Sequence, residues 1–271
     1  MNPDYSEFII KALTEASQVA DANFGKVAGT TKPEDNNQVL TDTDIEIGNL
    51  LVSKVKEAFL SHNIIDEEAG VIDNGSEYTW VIDPIDGTSN FANGIETYGI
   101  MIGLLEKNTP VAGGIALPSF NKILVAQKGK GTFLNGSKVT VTKETRLLSS
   151  LVAYGIDGHQ EDPSVTRREA KQLGEIVLAI RNLRSSNSAY DAVMVAEGRY
   201  GATLNRTSKI WDNVAPQIII EEAGGVYTDF EGRPIDYSDA IGKVENNFTL
   251  CAGAPSLHQQ LQEIIHASQD Q

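Results

Sequence analysis

The chain is poor in cysteine, histidine and basic residues. A single cysteine, Cys251, among 271 residues excludes an internal disulfide framework and a multi-cysteine zinc site. The four histidines, at 62, 159, 258 and 266, show no zinc spacing and read as surface or loop residues. Cys251 reads as a buried strand residue rather than a nucleophile. Lys and Arg number 22 against 37 Asp and Glu, for a formal net charge of −15. Such a surface repels nucleic acid and anionic membranes, so neither is an expected partner. No run approaches the roughly 18 apolar residues of a membrane helix. The opening MNPDYSEF lacks the basic-then-apolar pattern of a secretory signal. A cytoplasmic location is the expectation. A small anionic substrate stays open, provided a bound cation offsets the charge.

What is present is enough apolar sequence, 41%, for a sizeable core. Phe8, Ile9, Ala12, Leu13, Ala16, Val19 and Ala20 recur at helical spacing and predict a helix over 5–24, stopped at Gly25. GTTKPEDNNQ, residues 29–38, reads as an exposed, mobile loop. A second helix is predicted over 43–60. Short β-like runs follow, with Asn135-Gly136 predicting a type I′ hairpin turn. Residues 165–174 read as helical, 176–183 as strand, and 188–197 as helix ended by Gly198. Residues 213–223 read as helix before Gly224-Gly225, and 256–267 as a last helix. Irregular alternation with hairpins argues for an α+β protein of layered sheets and helices rather than a βαβ repeat. With no internal repeat and no linker, one domain of two lobes is expected, about 1–145 and 146–271.

The acidic residues gather at strand ends and helix starts. WVIDPIDGTSNF, residues 80–91, ends an apolar run in Asp83 and Asp86. Pro84 is expected to end the strand and stiffen the corner, leaving the Ile85 carbonyl as a further oxygen donor. Hard cations take such oxygen ligands. The GTSNF that follows offers backbone N–H groups and a hydroxyl to an anion. An isolated Asp-x-x-Asp would be read as a capped turn. IIDEEAG at 64–70 adds Asp66, Glu67 and Glu68, TDTD at 41–44 adds Asp44, and WDN at 211–213 adds Asp212. Taken singly, the last two are N-caps.

The order DEE, WVIDPIDGTSNF, then WDNVAP and EEAGG at 221–225, with Thr41–Asp44 ahead and GKGTFLNG at 129–136, resembles the inositol monophosphatase family over nearly the whole chain. The resemblance implies a layered αβαβα sandwich of the inositol monophosphatase and fructose-bisphosphatase type, in the form of a homodimer. It implies two to three Mg²⁺ ions held by Glu67, Asp83, the Ile85 carbonyl, Asp86 and Asp212. It further implies hydrolysis of a small phosphorylated metabolite by a metal-activated water, with lithium sensitivity. Asp44, Glu67, Asp83 and Thr88 are then the expected catalytic residues, Asp44 and Thr88 acting on the water as a pair. Gly87, Thr88, Ser89, Ser188, Asn205 and Asp212 are the expected substrate-binding residues. Glu68 is expected to support the site without ligating.

The substrate side departs from the inositol-selective members. Asn187 and Ser188 stand where those members carry Gly and Thr, Asn205 stands where they carry Glu, and the 154–162 loop is unfamiliar. Lys32 lies near the position of a catalytic-loop lysine. Inositol monophosphate, histidinol phosphate, fructose 1,6-bisphosphate and nucleotide phosphates such as NADP or phosphoadenosine phosphate stay open as substrates. A non-catalytic regulatory binding protein on the same fold is the alternative from another class.

Overall fold

The computed structural model describes residues 4–32 and 35–269. Helix α1 (Ser6–Asn23) buries Ile9, Ala12, Leu13, Ala16 and Ala20. Strands β1 (Thr30–Lys32) and β2 (Asp35–Leu40) pair antiparallel. Residues 30–32 and 35–38 of the expected loop are therefore strand, their polar composition having hidden the Thr30↔Leu40 and Thr31↔Val39 pairing, and residues 33 and 34 of it lie outside the described residues. Helix α2 (Asp42–Ala58) follows, with Ile47, Leu51, Val52 and Val55 facing inward.

The next strands are β3 (Asn63–Asp66), β4 (Gly70–Ile72), β5 (Tyr78–Asp86), β6 (Gly99–Glu106), β7 (Thr109–Leu117), β8 (Lys122–Gln127), β9 (Gly131–Leu134) and β10 (Ser137–Val139), with α3 (Thr88–Ala92) after β5. They build one eight-stranded sheet in the order β10-β9-β8-β7-β6-β5-β3-β4. Only β3 and β5 run parallel. Asn135 and Gly136 both have positive φ, 46° and 81°, as the hairpin turn between β9 and β10 requires.

Strand β11 (Leu151–Gly155), helix α4 (Pro163–Ala179), strand β12 (Asn182–Arg184), helix α5 (Ala189–Ala196), strand β13 (Ala202–Ser208), helix α6 (Val214–Glu222), strands β14 (Val226–Thr228) and β15 (Phe248–Gly253) and helix α7 (Pro255–Gln269) complete the chain. The five strands order as β12-β11-β13-β15-β14. Helices α1 and α2 cover one face of the large sheet, α5 and α6 fill the space between the sheets, and α7 covers β15 and packs on α4. The result is an α+β stack of helix, sheet, helix, sheet and helix layers.

Two local expectations change. Residues 176–179 belong to α4, and the strand is confined to Asn182–Arg184. Ile176 faces the core, but Val177 and Leu178 are exposed on the helix, so the β-branched run does not report a buried strand. His258 is buried on α7, its Nε2 bonded to the Thr228 hydroxyl at 2.8 Å. His62 is half-buried, stacked between Phe59 and Tyr78, and accepts a bond from Trp80 Nε1 at 3.1 Å. His62 is thus a loop residue, as expected, whereas His258 is neither at the surface nor in a loop. Cys251 lies buried on β15.

Glycines set how closely the middle helices approach the large sheet. A Cβ on Gly103 would lie 2.7 Å from Val214 Cγ1 and 2.9 Å from the Ala215 backbone nitrogen, and one on Gly113 would lie 3.0 Å from Ala215 Cα. The start of α6 therefore rests on bare backbone. Gly103→Ala is expected to lower stability by about 1–3 kcal/mol through overpacking. Urea unfolding should show a lower midpoint with unchanged slope, since backbone atoms cannot rotate out of the way.

Candidate active site

The corner at the end of β5 is built by an irregularity. Residues three apart on a regular strand face opposite sides. Here Asp83 pairs with Met101 and Asp86 with Gly99 on β6, so β5 spends one extra residue across that interval. This bulge, at Pro84-Ile85, turns Asp86 back to the side of Asp83. Pro84 was expected to end the strand; instead the strand continues through it to Asp86. Gly87 follows with φ 85°, a left-handed position, and a Cβ there would lie 2.8 Å from Ser188 Cβ. Only glycine fits this turn without strain.

Asp212 arrives from the other lobe, in the turn before α6. Its Oδ2 accepts the Lys209 N–H at 2.6 Å. Asp86 Oδ2 accepts the Ala189 N–H at the start of α5. Each carboxylate is thus anchored through one oxygen. Asp83, Asp86 and Asp212 each bring a carboxylate oxygen into a group lying within 4.8 Å of one another. Asp83 is buried, and its Oδ1 has no hydrogen-bond partner among the described residues. Two unit charges at that separation repel by about 3 kcal/mol at an effective dielectric near 20. Burial, then the charge of its acidic neighbours, raises the carboxyl groups of Asp83 and Asp86 well above the usual range. Burial pushes Asp212 up to about 6.

These residues fit a hard divalent cation. Converging carboxylates with an unbonded buried oxygen are an oxygen-only donor set of the kind Mg²⁺ takes. Glu67 lines the same cleft and its charge reaches Asp83, but its Oε1 is turned to Lys32 Nζ at 3.0 Å. Lys32 also meets Glu68 Oε1 at 2.7 Å, so Glu68 supports a lysine that the hairpin carries in. Burial pushes Glu67 up to about 8, against the lowering effect of Lys32. The Ile85 carbonyl accepts the Thr88 hydroxyl at 2.7 Å, which leaves a second lone pair on that oxygen.

Thr88 Oγ1 also lies 3.0 Å from Asp44 Oδ1. Asp44 is buried at the start of α2, its Oδ2 held by the Thr41 N–H at 2.8 Å and by the Thr41 hydroxyl. This reciprocal cap aims Oδ1 at Thr88. Burial raises the Asp44 carboxyl, opposed by its bonds to Thr41 and Thr88. Asp44 therefore both caps a helix and faces a hydroxyl at the cleft.

The cleft has a volume of about 350 Å³ and is lined by Gly87, Thr88, Ser89, Ser188 and Asn205 alongside the carboxylates. Ser188 caps α5 and gives its hydroxyl proton to the Thr97 carbonyl at 2.9 Å. Asn205 receives the Thr207 N–H on Oδ1 at 2.6 Å. The charged lining residues Asp157, Asp191 and Lys209 were not singled out from sequence. Asp191 was visible three residues after the helix-capping Ser188, a structural signal; its Oδ2 accepts the Ser186 N–H at 3.3 Å. Asp157 lies on a loop whose sequence carries no motif.

A sequence profile of the inositol monophosphatase family matches residues 2–271. The chain belongs to the inositol monophosphatase family. A fructose-1,6-bisphosphatase/inositol-1-monophosphatase of Aquifex aeolicus is 33% identical over 91% of this chain and 94% of its own. A protein of Neisseria meningitidis named as a putative Nus factor SuhB is 30% identical over 98% and 99%. An IMPase structure from Thermotoga maritima superposes with a TM-score of 0.85 at 25% identity, covering 99% of each chain. The profile match spans both sheets and every residue lining the cleft.

The raised carboxyl groups give a pH signature. A carboxylate whose folded pKa exceeds its unfolded value binds more protons when folded, so its contribution to stability falls as pH rises. For Asp212 the fall lies between about 4, the unfolded value, and about 6. In chelator, Asp212→Asn is expected to melt several degrees above the unsubstituted protein at pH 8, with the gap closing at pH 4. Thermal denaturation across that range reads it, and a variant that melts lower at pH 8 would contradict the burial argument.

Proposed function

We propose that the protein is a Mg²⁺-dependent phosphomonoesterase that hydrolyses a small phosphate monoester, inositol monophosphate or a similar polyol ester, by attack of water. The observation that supports this most strongly is the convergence of Asp83, Asp86 and Asp212 within 4.8 Å beside the Asp44–Thr88 hydrogen bond. Asp83, Asp86, Asp212, Glu67 and the Ile85 carbonyl would hold two to three ions. Bound there, the ions would stabilise charge on the phosphoryl oxygens and acidify water at that point.

The remaining chemistry belongs to the chain. Thr88 has one hydroxyl proton and two acceptors near it, Asp44 Oδ1 and the Ile85 carbonyl. Its own lone pairs are left to accept a proton from a water in the cleft, while Asp44 holds the threonine in place. A hydroxyl is a poor base alone, so the buried carboxylate behind it carries the proton affinity. Gly87, Thr88 and Ser89 would place backbone N–H and hydroxyl donors against the phosphate. With Ser188 committed to Thr97, its part is to seat α5 and Asp86. Catalysis then rests on positioning and electrostatics, with no covalent phosphoenzyme.

The Nus factor name of some relatives motivates a second, non-catalytic role. With a net charge of −15, a partner in such a role would be a protein rather than RNA.

Purified protein with Mg²⁺ should release inorganic phosphate from a monoester panel including inositol 1-phosphate and histidinol phosphate, and Li⁺ should inhibit. Asp83→Asn should lower turnover about a thousandfold, and Thr88→Val about a hundredfold, with unchanged circular dichroism. No phosphate release from any ester of the panel would sink the proposal.

A further inference from the structure

The alcohol side of the cleft is built by a directed chain of side chains. The Thr207 N–H holds Asn205 Oδ1 at 2.6 Å, which fixes the orientation of that amide. Asn205 Nδ2 then donates to Asn187 Oδ1 at 3.4 Å, and Asn187 Nδ2 donates to Asp157 Oδ1 at 3.2 Å. Gly155 makes room for the meeting: a Cβ there would collide with Asn187 Oδ1 and Asn205 Nδ2. Asn187 sits at φ 52°, a left-handed position that asparagine tolerates. The amide dipoles thus line up and end on a carboxylate, and Gly155, Asp157, Asn187 and Asn205 all face the cleft.

Positive charge is scarce at this end. Lys209 is the one basic residue lining the cleft among the described residues. Its ammonium is bonded to the Glu245 carbonyl at 2.7 Å, with the Glu245 carboxylate 3.9 Å away. Arg206 follows Asn205 on β13, but strand alternation sends it to the other face. There its guanidinium stacks 3.8 Å above Phe230 and donates to Gln172 Oε1. Arg184 is turned back on the Leu183 carbonyl.

We propose that Asp157 is a specificity-determining residue: it favours esters whose alcohol presents hydroxyl or ammonium donors and disfavours esters that carry a second phosphate. This rests on the phosphomonoesterase reading and extends it to the class of alcohol. A hydroxyl gives its proton to the Asp157 carboxylate and accepts from the amides of Asn187 or Asn205. A second phosphate meets a like charge in a cleft that no arginine lines among the described residues.

The test compares kcat/KM for fructose 1-phosphate with that for removal of the first phosphate from fructose 1,6-bisphosphate, both with saturating Mg²⁺. The unsubstituted protein should prefer the monophosphate at least tenfold at low salt, and the gap should narrow as salt screens the repulsion. Asp157→Asn should close the gap about tenfold, and Asp157→Arg should close it further. A preference for the bisphosphate in the unsubstituted protein would overturn the inference. So would an Asp157→Asn variant that loses both activities equally, since that marks a merely structural residue. If the variants do not fold, the ratio for the unsubstituted protein and its salt dependence decide. Release of phosphate from neither ester would overturn the hydrolase reading itself, which keeps the two failures apart.

Discussion

Like charges forced together govern this structure. Asp83 and Asp86 lie on β5 and Asp212 in the turn before α6, and left to themselves their carboxylates would separate or take up protons. What holds them is backbone. The bulge in β5 turns Asp86 toward Asp83, the Ala189 N–H pins Asp86, and the Lys209 N–H pins Asp212. The two N–H anchors each engage one oxygen of their carboxylate and leave the other for the cluster. A site built this way is unfavourable for the fold taken alone and favourable once a cation is bound, since a ligand that binds only the folded state stabilises it.

The packing between the lobes serves the same arrangement. Gly99, Gly103 and Gly113 on β6 and β7 present bare backbone to α5 and α6; a Cβ on Gly99 would come within 2.9 Å of Ala189 Cβ. The starts of both helices are thereby drawn onto the large sheet. Ala189 and Asp212 lie at those starts. A side chain at any of these glycines would lift a helix and carry an acid, or its N–H anchor, away from Asp83. The glycines of β6 and β7 and the aspartates gathered at the cleft are one construction.

Much of this was legible in sequence, and the part that was not has a common cause. The helices over 6–23 and 42–58 follow from apolar periodicity, because burial on one face leaves a repeating mark. The acidic motifs were visible because each joins an apolar run to a short polar stretch with Pro or Gly. The hairpin over 30–40 was not visible, since its strands are polar and their pairing is set by backbone bonds. The bulge at Pro84-Ile85 was missed for the opposite reason: proline argues for the end of a strand, and only the register against Met101 and Gly99 reveals that pairing resumes. His258 looked solvent-exposed because nothing local in α7 announces Thr228, thirty residues away in sequence.

The cleft divides into a side that sequence motifs describe and a side they do not. The proposed phosphate end lies within contiguous stretches, 83–89 above all, because a rigid turn must present oxygen and nitrogen atoms at fixed spacing. The proposed alcohol end brings together Asp157, Asn187 and Asn205, which come from three separate segments of the chain and are joined through side-chain amides. They are tied to the acids all the same: the Asp157 charge helps to raise Asp212, and Asn187 lies two residues before the Ala189 N–H that pins Asp86. No contiguous motif links these three residues, so they are found from the hydrogen bonds that join them across the chain.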